Sequence, residues 1–406
     1  MKPPRRIVTL VLVSPAGEVL GRLPSFTAAT PWWQDAGPVV ADVRARFGLE
    51  VTILRLLEAE FPAAHGGAVT YLAEADPAAV VAVGLAGLET WDGTLTEDAK
   101  RMPYARPGGP AADLAWADSI LAELGRARTG RADQVRTWNL SSLWRLPVGV
   151  GEAWLKVVPF FFEHEGAVIE RLHGESVPKL LGKDGGRMLL AGIAGEDRSD
   201  AAGRELHAMI EMLVDLQARW LDRADELRGF GLPDWSGGTL RREIQDLVGR
   251  SGPLLDAADL TTLAAFVEAF PARLVSITAA GIPDSLVHGD FHPGNVMGEP
   301  GHLVLLDWGD SGIGHPLLDQ PAFLSRIDPA EVTAARAHWH AAWRRLLPGS
   351  DPDRASDLIA PIAAARQAVI YQRFLDNIEV SERPYHQADV PDWLHRTADI
   401  LRREAT

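Results

Sequence analysis

The sequence predicts an α+β protein in which a small α/β domain precedes a β-rich lobe and a helical lobe. Three observations predict this order. Strand-like apolar runs surround one helical pattern between residues 5 and 75, and three short β-patterned runs lie between residues 135 and 158. From about residue 240 the pattern is mostly helical. At 406 residues, the chain is long enough for two or three domains.

Composition excludes several classes of protein. With 47% hydrophobic and 23% charged residues, the chain is typical of globular proteins rather than disordered or fibrous ones. A net charge of -15 argues against a nucleic-acid partner, because phosphate binding needs clustered Lys and Arg. The absence of Cys excludes disulfides and thiolate metal sites and favours a cytoplasmic location. The N-terminal apolar run is too short and β-branched for a signal peptide, and no continuous run suggests a membrane partner.

The first domain is expected to be a small α/β unit. The runs "RIVTLVLV", "LEVTILRLL" and "GAVTYLAEA" read as strands, and "AGPVVADVRARFG" between the first two reads as a helix. A segment rich in Pro and Gly, "MPYARPGGPAAD", follows and leads into a helical pattern. These signals predict a cap domain over residues 1–128.

Two further domains are predicted after this boundary. The runs "VRTWN", "LWRLPV" and "EAWLKVV" predict a strand meander, and "KLLGKDGGRMLLAGI" predicts a hairpin, which together give a β-rich lobe over residues 129–195. A long amphipathic helix beginning at "GRELHAMIEMLVDL" opens a helical lobe over residues 196–406.

Candidate chemistry concentrates in "SLVHGDFHPGNVMGEPGHLVLLDWGD". Two short apolar runs deliver Asp290 and Asp307 at strand or loop ends. Phosphoryl transfer needs one carboxylate that orients the attacking hydroxyl and takes its proton, together with oxygen ligands that hold Mg²⁺ against the phosphates of ATP. Asp290, Asn295 and Asp307 have the chemistry for these roles.

This stretch resembles the catalytic loop of the aminoglycoside phosphotransferase-like kinases, which include choline kinase-type enzymes. Their H-G-D-x-H-x-x-N pattern is present here as His288, Gly289, Asp290, His292 and Asn295. The resemblance implies a bilobal protein-kinase-like fold, with a small β-rich N-lobe and a helical C-lobe. It also implies that Asp290 is the catalytic base and that Asn295 and Asp307 bind Mg²⁺.

Other polar residues near the motif have competing interpretations. His288 and His292 are expected to brace the loop, because Asp290 already fills the base role. Asp310 is either a substrate or metal contact or part of a turn. Asp319 is expected to belong to the scaffold, and His302 to be a solvated turn residue.

A kinase also needs a lysine for the phosphates and an acidic partner for that lysine. Lys156 lies between apolar neighbours in "WLKVV", where a charge is costly unless it is paired or liganded. The alternative is an edge-strand lysine that points to water. Glu165 is the expected partner, because its position resembles that of the family, and Glu163 and Glu170 compete for the role.

The phosphate-covering loop lacks the G-x-G-x-x-G signature. Ser141 and Ser142, near Asn139, are candidates to cradle phosphate, although a plain hairpin turn explains each residue equally well. By position, Ala191 to Ile193 would form the hinge that contacts adenine.

The N-terminal domain weakly resembles a Nudix fold, because "ADVRARFGLEV" is similar to the helix and strand of that family's box. Where the box carries glutamates, this chain has Asp42, Ala45 and Arg46. Since Mg²⁺ on a pyrophosphate needs several converging carboxylates, a catalytically degenerate cap is expected. Trp32 and Trp33 are expected to pack the cap against the kinase lobe rather than to stack on a ligand.

Substrate recognition is expected after residue 320. Asp376 and Glu379, with Glu382 and His386 nearby and Asp310 upstream, would favour an amine-bearing acceptor such as an amino sugar or aminoglycoside. The alternative is a solvated helix face. Three tryptophans of the same lobe are expected in the core: Trp339, Trp343 and Trp393.

The sequence thus predicts a cytoplasmic kinase that uses ATP and Mg²⁺ to phosphorylate a hydroxyl of a small molecule. The competing hypothesis is a pseudokinase-like module that binds nucleotide and regulates a partner. The complete set of catalytic residue types weighs against it, because a broken set is the signature expected of such a module.

Overall fold

The computed structural model describes residues 3–84 and 88–405, and the chain divides into two compact units. The first unit contains the described residues up to Glu163, together with Leu180–Gly192 and Arg373–Ala388. The second contains His164–Lys179, Ile193–Gln372 and the chain from Asp389 onward. Both units are therefore built from separate stretches of sequence, and the domain boundaries suggested at 128 and 195 stay predictions.

One sheet of the first unit forms from the N-terminal apolar runs. Its strand order is β2-β1-β5-β4, with β3 also paired to β1, and β1 and β5 run parallel. The strands are β1 (Arg6–Val13), β2 (Val19–Arg22), β3 (Phe26–Thr27), β4 (Val51–Ala59) and β5 (Gly67–Ala75). The helices of this unit's N-terminal part are α1 (Ala36–Phe47), α2 (Pro77–Ala82) and α3 (Gly109–Glu123). The predicted strands and the predicted helix are confirmed.

Helix α1 packs on this sheet through Val39, Val40 and Val43, which are buried with the strand residues in one hydrophobic core. The helix ends at Gly48, whose φ of 65° gives the left-handed cap conformation that glycine adopts without strain. Trp33 lies in the same core and donates Nε1–H to the Gly66 carbonyl at 2.7 Å.

The second sheet of the first unit is a five-stranded antiparallel sheet of order β6-β7-β8-β10-β9. Its strands are β6 (Asp133–Trp138), β7 (Ser141–Pro147), β8 (Glu152–Val157), β9 (Leu180–Asp184) and β10 (Arg187–Ala191). The meander and the hairpin predicted from the sequence both belong to it. Gln134 on β6 links the two sheets, because its side-chain amide accepts from Ile53 N at 2.8 Å and donates to Ile53 O at 2.7 Å.

The second unit is mostly helical. Its helices are α4 (His164–Arg171), α5 (Arg204–Ala218), α6 (Ala224–Gly229), α7 (Gly237–Arg250), α8 (Ala257–Ala279), α9 (Gln320–Ser325), α10 (Val332–Leu346), α11 (Pro352–Asn377) and α12 (Asp389–Glu404). The last residues of α11 belong to the first unit. Trp339 and Trp343 are fully buried, which confirms their predicted core role, whereas Trp393 is half-buried beneath Arg396.

Two small β-elements interrupt these helices. One is a sheet of β11 (Glu196–Asp197), β13 (Val296–Glu299) and β14 (His302–Leu305). The other is a two-stranded antiparallel ladder of β12 (Ser285–Val287) and β15 (Gly312–Gly314). These elements position the polar residues of the motif.

Within the described part of the chain, α8 is the one helix with the length and hydropathy of a membrane span, at 23 residues. A single helix of this kind is weak evidence of a membrane protein, because core helices of soluble proteins pass the same test. Its Asp259 accepts hydrogen bonds from His395 at 2.7 Å and Arg402 at 2.8 Å, both on α12.

Candidate active site

The structure brings together the three residues that the sequence assigned to phosphoryl transfer. Asp290 follows β12, and Asn295 lies immediately before β13. Asp307 follows β14, and the backbone N–H of its neighbour Leu306 donates to the Asn295 carbonyl at 2.8 Å. Because β13 and β14 pair directly, the two halves of the motif lie side by side in one unit.

Asn295 fixes the loop that carries Asp290. Its side-chain amide nitrogen donates to the Asp290 carbonyl at 2.9 Å, with a longer approach of 3.4 Å to the carboxylate. This orientation turns the amide oxygen of Asn295 away from Asp290. An oxygen ligand is therefore presented next to the Asp290 loop.

His292 has two contacts in this loop. Its Nδ1 accepts the Gly294 N–H at 3.0 Å, and its Nε2 lies 3.5 Å from the Asp290 carboxylate. Burial alone would raise the pKa of Asp290, but the hydrogen bond and charge of His292 outweigh it and hold that pKa below its usual value. Asp290, whose side chain is 38% exposed, is therefore ionised at neutral pH.

His288 is fully buried and acts as a brace. Its Nε2–H donates to the Leu306 carbonyl at 2.8 Å, which links the loop after β12 to the segment after β14. Burial lowers the pKa of His288 to about 4, so the ring is neutral at physiological pH. The bracing role predicted for both motif histidines is confirmed.

Asp319 also holds the loop after β12 in place. Its two carboxylate oxygens accept the backbone N–H groups of Gly289 at 2.7 Å and His288 at 2.9 Å, and Gln217 donates to it at 2.9 Å. Burial raises the pKa of Asp319 to about 6. Asp319 therefore belongs to the scaffold, as the sequence predicted.

Gly289 cannot be replaced without moving the loop. It adopts a φ of 95°, and a Cβ at this position would lie 2.1 Å from the Asp310 carbonyl oxygen. A left-handed backbone and this close approach each require glycine.

Arg366 on α11 is a site residue that the sequence reasoning missed. It is fully buried and donates to the carbonyls of Gly289 at 3.3 Å and Asp310 at 2.9 Å, so one guanidinium joins the two loops. Its location in the apolar run "APIAAARQAVI" was an available signal, because a cation buried among apolar residues needs specific partners.

Asp307 has a strained backbone. Its φ of 62° is left-handed, and among the described non-glycine residues only Asp222 shares this property. Such strain persists where surrounding contacts enforce it, often at functional sites. Glu165 of α4 supplies one such contact, because its Oε1 accepts the backbone N–H of Trp308 at 3.2 Å.

Glu165 is also distinguished from its two competitors by burial. It is buried, whereas Glu163 and Glu170 are exposed. Lys156, the expected partner, lies in the middle of β8 in the first unit, opposite Leu143 and Met188 in the strand register. The strand position of Lys156 is as predicted.

The hydroxyls of Ser141 and Ser142 already have partners in the first unit. Ser141 Oγ accepts from Trp138 Nε1 at 3.2 Å, and Ser142 Oγ accepts from Trp144 Nε1 at 3.0 Å. These contacts favour the hairpin-turn alternative for both residues. Ala191 ends β10, and Ile193 is half-buried two residues later.

Asp310 is half-buried next to the motif. Burial, together with the negative charge of Asp290, raises the pKa of Asp310 to about 7. The carboxyl group is thus close to its titration midpoint at neutral pH, and its contact with substrate stays a prediction.

The acidic stretch after residue 375 was expected either to recognise substrate or to form a solvated helix face, but two of its glutamates are buried in ionic or backbone contacts. Glu379 is only 6% exposed and pairs with Arg101 at 2.9 Å and Arg55 at 3.6 Å. Glu382 is buried too and accepts the Leu56 N–H at 2.8 Å. Glu379 and the two arginines form a buried ionic cluster within the first unit, and Glu382 is buried in the same stretch, so neither glutamate lies on a solvated helix face. Asp376 is exposed, at the end of α11.

His386 and Trp33 make contacts around the same buried stretch. His386 shares a hydrogen bond of 2.9 Å with Asn139. Trp33 meets Tyr385 edge-on with ring centroids 5.4 Å apart, while Trp32 is 43% exposed beside His65. Trp33 therefore packs as a core residue, and Trp32 does not.

The donor set at the motif fits Mg²⁺. Two carboxylates and an amide oxygen are hard ligands, and Mg²⁺ commonly takes one or two protein carboxylates and completes its shell with phosphates and water. Among the described residues no cluster of three or more His, Asp or Glu side chains has the geometry of a self-sufficient metal site. The residues that would hold the ion are Asn295 and Asp307.

Comparison with known proteins agrees with this geometry. Residues 149–358 match the family model of APH, the phosphotransferase enzyme family. No curated protein matches the chain. The fold is similar to that of solved kinases, although at these identities the likeness shows the fold alone.

Three of these structures have TM-scores of at least 0.50. An ethanolamine kinase from Plasmodium vivax has a TM-score of 0.53 at 10% identity, covering 76% of this chain and 92% of its own. A putative aminoglycoside phosphotransferase from Ralstonia eutropha has 0.50 at 15% identity, covering 72% and 98%. A macrolide 2'-phosphotransferase type I has 0.50 at 16% identity, covering 71% and 97%. Because the family match spans more than half of the sequence, the chain belongs to the APH phosphotransferase family and is a kinase that phosphorylates a hydroxyl group.

Proposed function

We propose that the chain transfers the γ-phosphate of ATP to a hydroxyl of a small molecule in a Mg²⁺-dependent reaction. The observation that carries this proposal is the juxtaposition of Asp290, Asn295 and Asp307 through the bonds from Asn295 to Asp290 and from Leu306 to Asn295. These residues supply the carboxylate and the oxygen ligands that phosphoryl transfer needs.

Asp290 orients the acceptor hydroxyl and takes its proton at a carboxylate oxygen. Its pKa, held below the usual value by His292, keeps the carboxylate ionised before the hydroxyl arrives. The neutral His288 and the carboxylate of Asp319 keep the loop in place, so Asp290 needs little reorganisation.

Asn295 and Asp307 would hold Mg²⁺ through their side-chain oxygens, and the ion would neutralise charge on the phosphates. Glu165 keeps Asp307 in position through the Trp308 backbone. Lys156 steadies the phosphates, a role supported by its place in mid-strand between apolar neighbours.

The acceptor is an alcohol that also bears an amine. Glu379 is bound to two arginines, so the acidic groups that support this class are Asp310, beside the catalytic loop, and the exposed Asp376. A positively charged acceptor would be attracted to these carboxylates. Amino sugars and aminoglycosides belong to this chemical class.

We infer that the N-terminal sheet and its helix α1 are a non-catalytic cap. The three positions aligned with the Nudix glutamates carry one acid, Asp42, which lies 3.7 Å from the Arg46 guanidinium. A single paired carboxylate does not support Mg²⁺ on a pyrophosphate. Full-length protein should therefore release no nucleoside monophosphate from nucleoside diphosphate derivatives under Mg²⁺, and sustained hydrolysis would contradict this assignment.

The main experiment is an ADP-release screen followed by one substitution. Full-length protein is offered ATP and Mg²⁺ with amino sugars, aminoglycosides, macrolides, ethanolamine and neutral sugars, and phosphorylation is verified by mass spectrometry. On the best acceptor, Asp290→Asn should lower kcat by roughly 10²–10⁴-fold, the range for a lost general base. Asp215→Asn, at an exposed position of α5, is the matched control.

Three outcomes would contradict the proposal or a part of it. If Asp290→Asn retained the wild-type rate, Asp290 would not be the base. If the wild-type chain phosphorylated no acceptor and bound no Mg²⁺·ATP in calorimetry, the pseudokinase-like hypothesis would replace it. Phosphorylation of neutral sugars alone would remove the amine-bearing acceptor class.

A further inference from the structure

A cavity of about 300 Å³ lies in the second, mostly helical unit, at the end of the β12–β15 ladder that is remote from the catalytic loop. Val287 pairs with Gly312 beside the catalytic loop, and Ser285 pairs with Gly314 at the other end. The ladder has three residue pairs, so its two ends lie two steps apart, a distance of roughly 7 Å at the usual rise of a strand. The cavity is therefore distinct from the phosphoryl-transfer site but shares its β-ladder.

His315 is a buried donor without a partner in this cavity wall. It is 5% exposed and lines the cavity, and its Nδ1 accepts the Leu317 N–H at 3.3 Å. Burial lowers the pKa of His315 to about 3, so the neutral ring carries its proton on Nε2. Throughout the described residues, nothing accepts a hydrogen bond from this nitrogen. A buried N–H of this kind favours an acceptor supplied by a ligand.

The N-terminus of α7 provides further donors at the same cavity. Ser236, Gly237 and Gly238 all line it, and the Ser236 side chain makes no capping hydrogen bond. The first turn is packed on one side and open on the other, because a Cβ built on Gly237 would lie 2.4 Å from Leu274, whereas one on the exposed Gly238 would meet nothing within 4 Å. The helix dipole and the N–H groups of this turn attract a carboxylate.

Asp284 adds a carboxyl group to a cavity wall whose other polar groups are hydrogen-bond donors. It lines the cavity, and burial, together with the charge of Asp234, raises its pKa. Asp234 is already bound, because it accepts the Ser236 N–H at 2.8 Å and lies 3.5 Å from Arg228. An ammonium group beside Asp284 would stabilise its ionised form.

The rest of the cavity is apolar. Trp235, which immediately precedes the N-terminus of α7, contributes an aromatic surface. The aliphatic lining residues come from α7, α8 and α11 and from the turn after β15: Leu240, Leu274, Ile277, Leu318, Ile359 and Ile362. The body of a ligand would therefore be hydrophobic.

We propose that this cavity binds a free α-amino acid with an apolar side chain. Its carboxylate would lie at the α7 N-terminus and His315, its ammonium at Asp284, and its side chain on the aliphatic surface. An acid alone offers no ammonium to Asp284, on which the charge of Arg228 already acts, and an amine alone leaves His315 without an acceptor. The volume is at the lower end of that of small-molecule pockets, as a ligand of this size requires.

Occupancy of the cavity acts on the catalytic loop. His315 caps the short turn Pro316–Asp319 through Nδ1, and Asp319 at the end of this turn binds the N–H groups of His288 and Gly289. A ligand that fixes the His315 ring therefore stabilises the turn and the loop together. Hydrogen exchange over residues 285–291 should slow when the amino acid binds.

The test uses calorimetry on the full-length chain with three probes that share the leucine side chain. L-Leucine should bind, whereas 4-methylpentanoate, which lacks the amine, and 3-methylbutylamine, which lacks the carboxylate, should each bind at least about tenfold more weakly. His315→Asn retains an acceptor for the Leu317 N–H but loses the Nε2 donor. This variant and Asp284→Asn should each weaken leucine binding by about tenfold or more.

Matched controls keep the result specific. His302→Asn and Asp246→Asn make the same changes at exposed positions of the same unit and should bind leucine as the wild type does. Asp290→Asn should do so as well, since it alters the catalytic loop and not the cavity. Circular dichroism confirms that each variant is folded.

Each of the following outcomes would overturn the proposal. Folded wild-type protein binds neither leucine, isoleucine nor phenylalanine. Either 4-methylpentanoate or 3-methylbutylamine binds as tightly as leucine. His315→Asn and Asp284→Asn both retain wild-type affinity, or Asp290→Asn abolishes binding, which would place leucine at the acceptor site instead.

Discussion

Asn295 donates its side-chain amide to the backbone carbonyl of Asp290 at 2.9 Å, so the candidate metal ligand also fixes the loop of the candidate base. This single bond sets which way the amide faces. With the nitrogen directed at Asp290, the oxygen is the atom that remains to bind Mg²⁺. In the proposed mechanism, base orientation and metal binding would therefore be coupled through one side chain.

The first prediction follows from this coupling. Asn295→Ala removes an oxygen ligand and the bond to Asp290, so the Mg²⁺ concentration at half-maximal activity should rise by roughly 10–100-fold. It is measured by titrating Mg²⁺ at saturating ATP and acceptor. Asn377→Ala removes a similar bond, from an amide to the Arg373 carbonyl, and should leave this concentration unchanged. A lower kcat with an unaltered Mg²⁺ requirement would show that Asn295 only braces the loop.

The second prediction concerns Asp319. Asp319→Ala leaves the buried N–H groups of His288 and Gly289 without their acceptor, so the free energy of unfolding should fall by roughly 2–4 kcal/mol. Urea denaturation followed by fluorescence measures the change. Asp215→Ala, at an exposed site on α5, should cost less than about 0.5 kcal/mol. Equal stability of the two variants would mean that the loop finds other acceptors.

Much of the candidate site could be predicted because its motif is local. Asp290, Asn295 and Asp307 lie within one stretch whose residue types and order match a single chemistry. The histidines could be assigned to bracing because the base role was filled. Arg366 was missed because its partners, Gly289 and Asp310, are 77 and 56 residues away, and nothing near it in sequence names them.

The strands of both sheets were also predicted well, because their apolar runs are short and bounded by turns. The burial of Glu382 in the first unit was not predicted. Its carboxylate binds the backbone of Leu56, 326 residues away, which makes the segment from Arg373 to Ala388 part of the first unit. A charged run followed by polar residues carries no local sign of burial, so tertiary contacts decided its role.

The third prediction separates a structural role of Glu379 from a substrate-binding one. Glu379→Gln leaves the positive charges of Arg55 and Arg101 buried without the negative charge of Glu379. Breaking a buried ion pair lowers the free energy of unfolding by about 3–5 kcal/mol. The melting temperature should therefore drop, while the acceptor KM of the folded variant stays unchanged. Glu123→Gln, at an exposed site on α3, is the control. A raised KM with normal stability would instead assign Glu379 to the acceptor.

The fourth prediction is a pH dependence of stability from Glu382. Burial, reinforced by the charge of Glu379, raises the pKa of Glu382 from 4.5 to about 8. Between these values the folded chain holds a proton that the unfolded chain has lost, so the free energy of unfolding falls as pH rises through this window. Glu382→Gln cannot titrate and should be more stable than wild type at about pH 9 but not at about pH 5.

Melting temperatures across this range measure the effect. The wild-type value should decline more steeply than that of Glu382→Gln between about pH 5 and pH 8, and the two slopes should agree above that window. Glu123→Gln should run parallel to the wild type, because its carboxylate is exposed. Parallel slopes for Glu382→Gln and wild type would show that Glu382 is ionised in the folded chain, stabilised by the nearby Arg55 charge rather than by a retained proton.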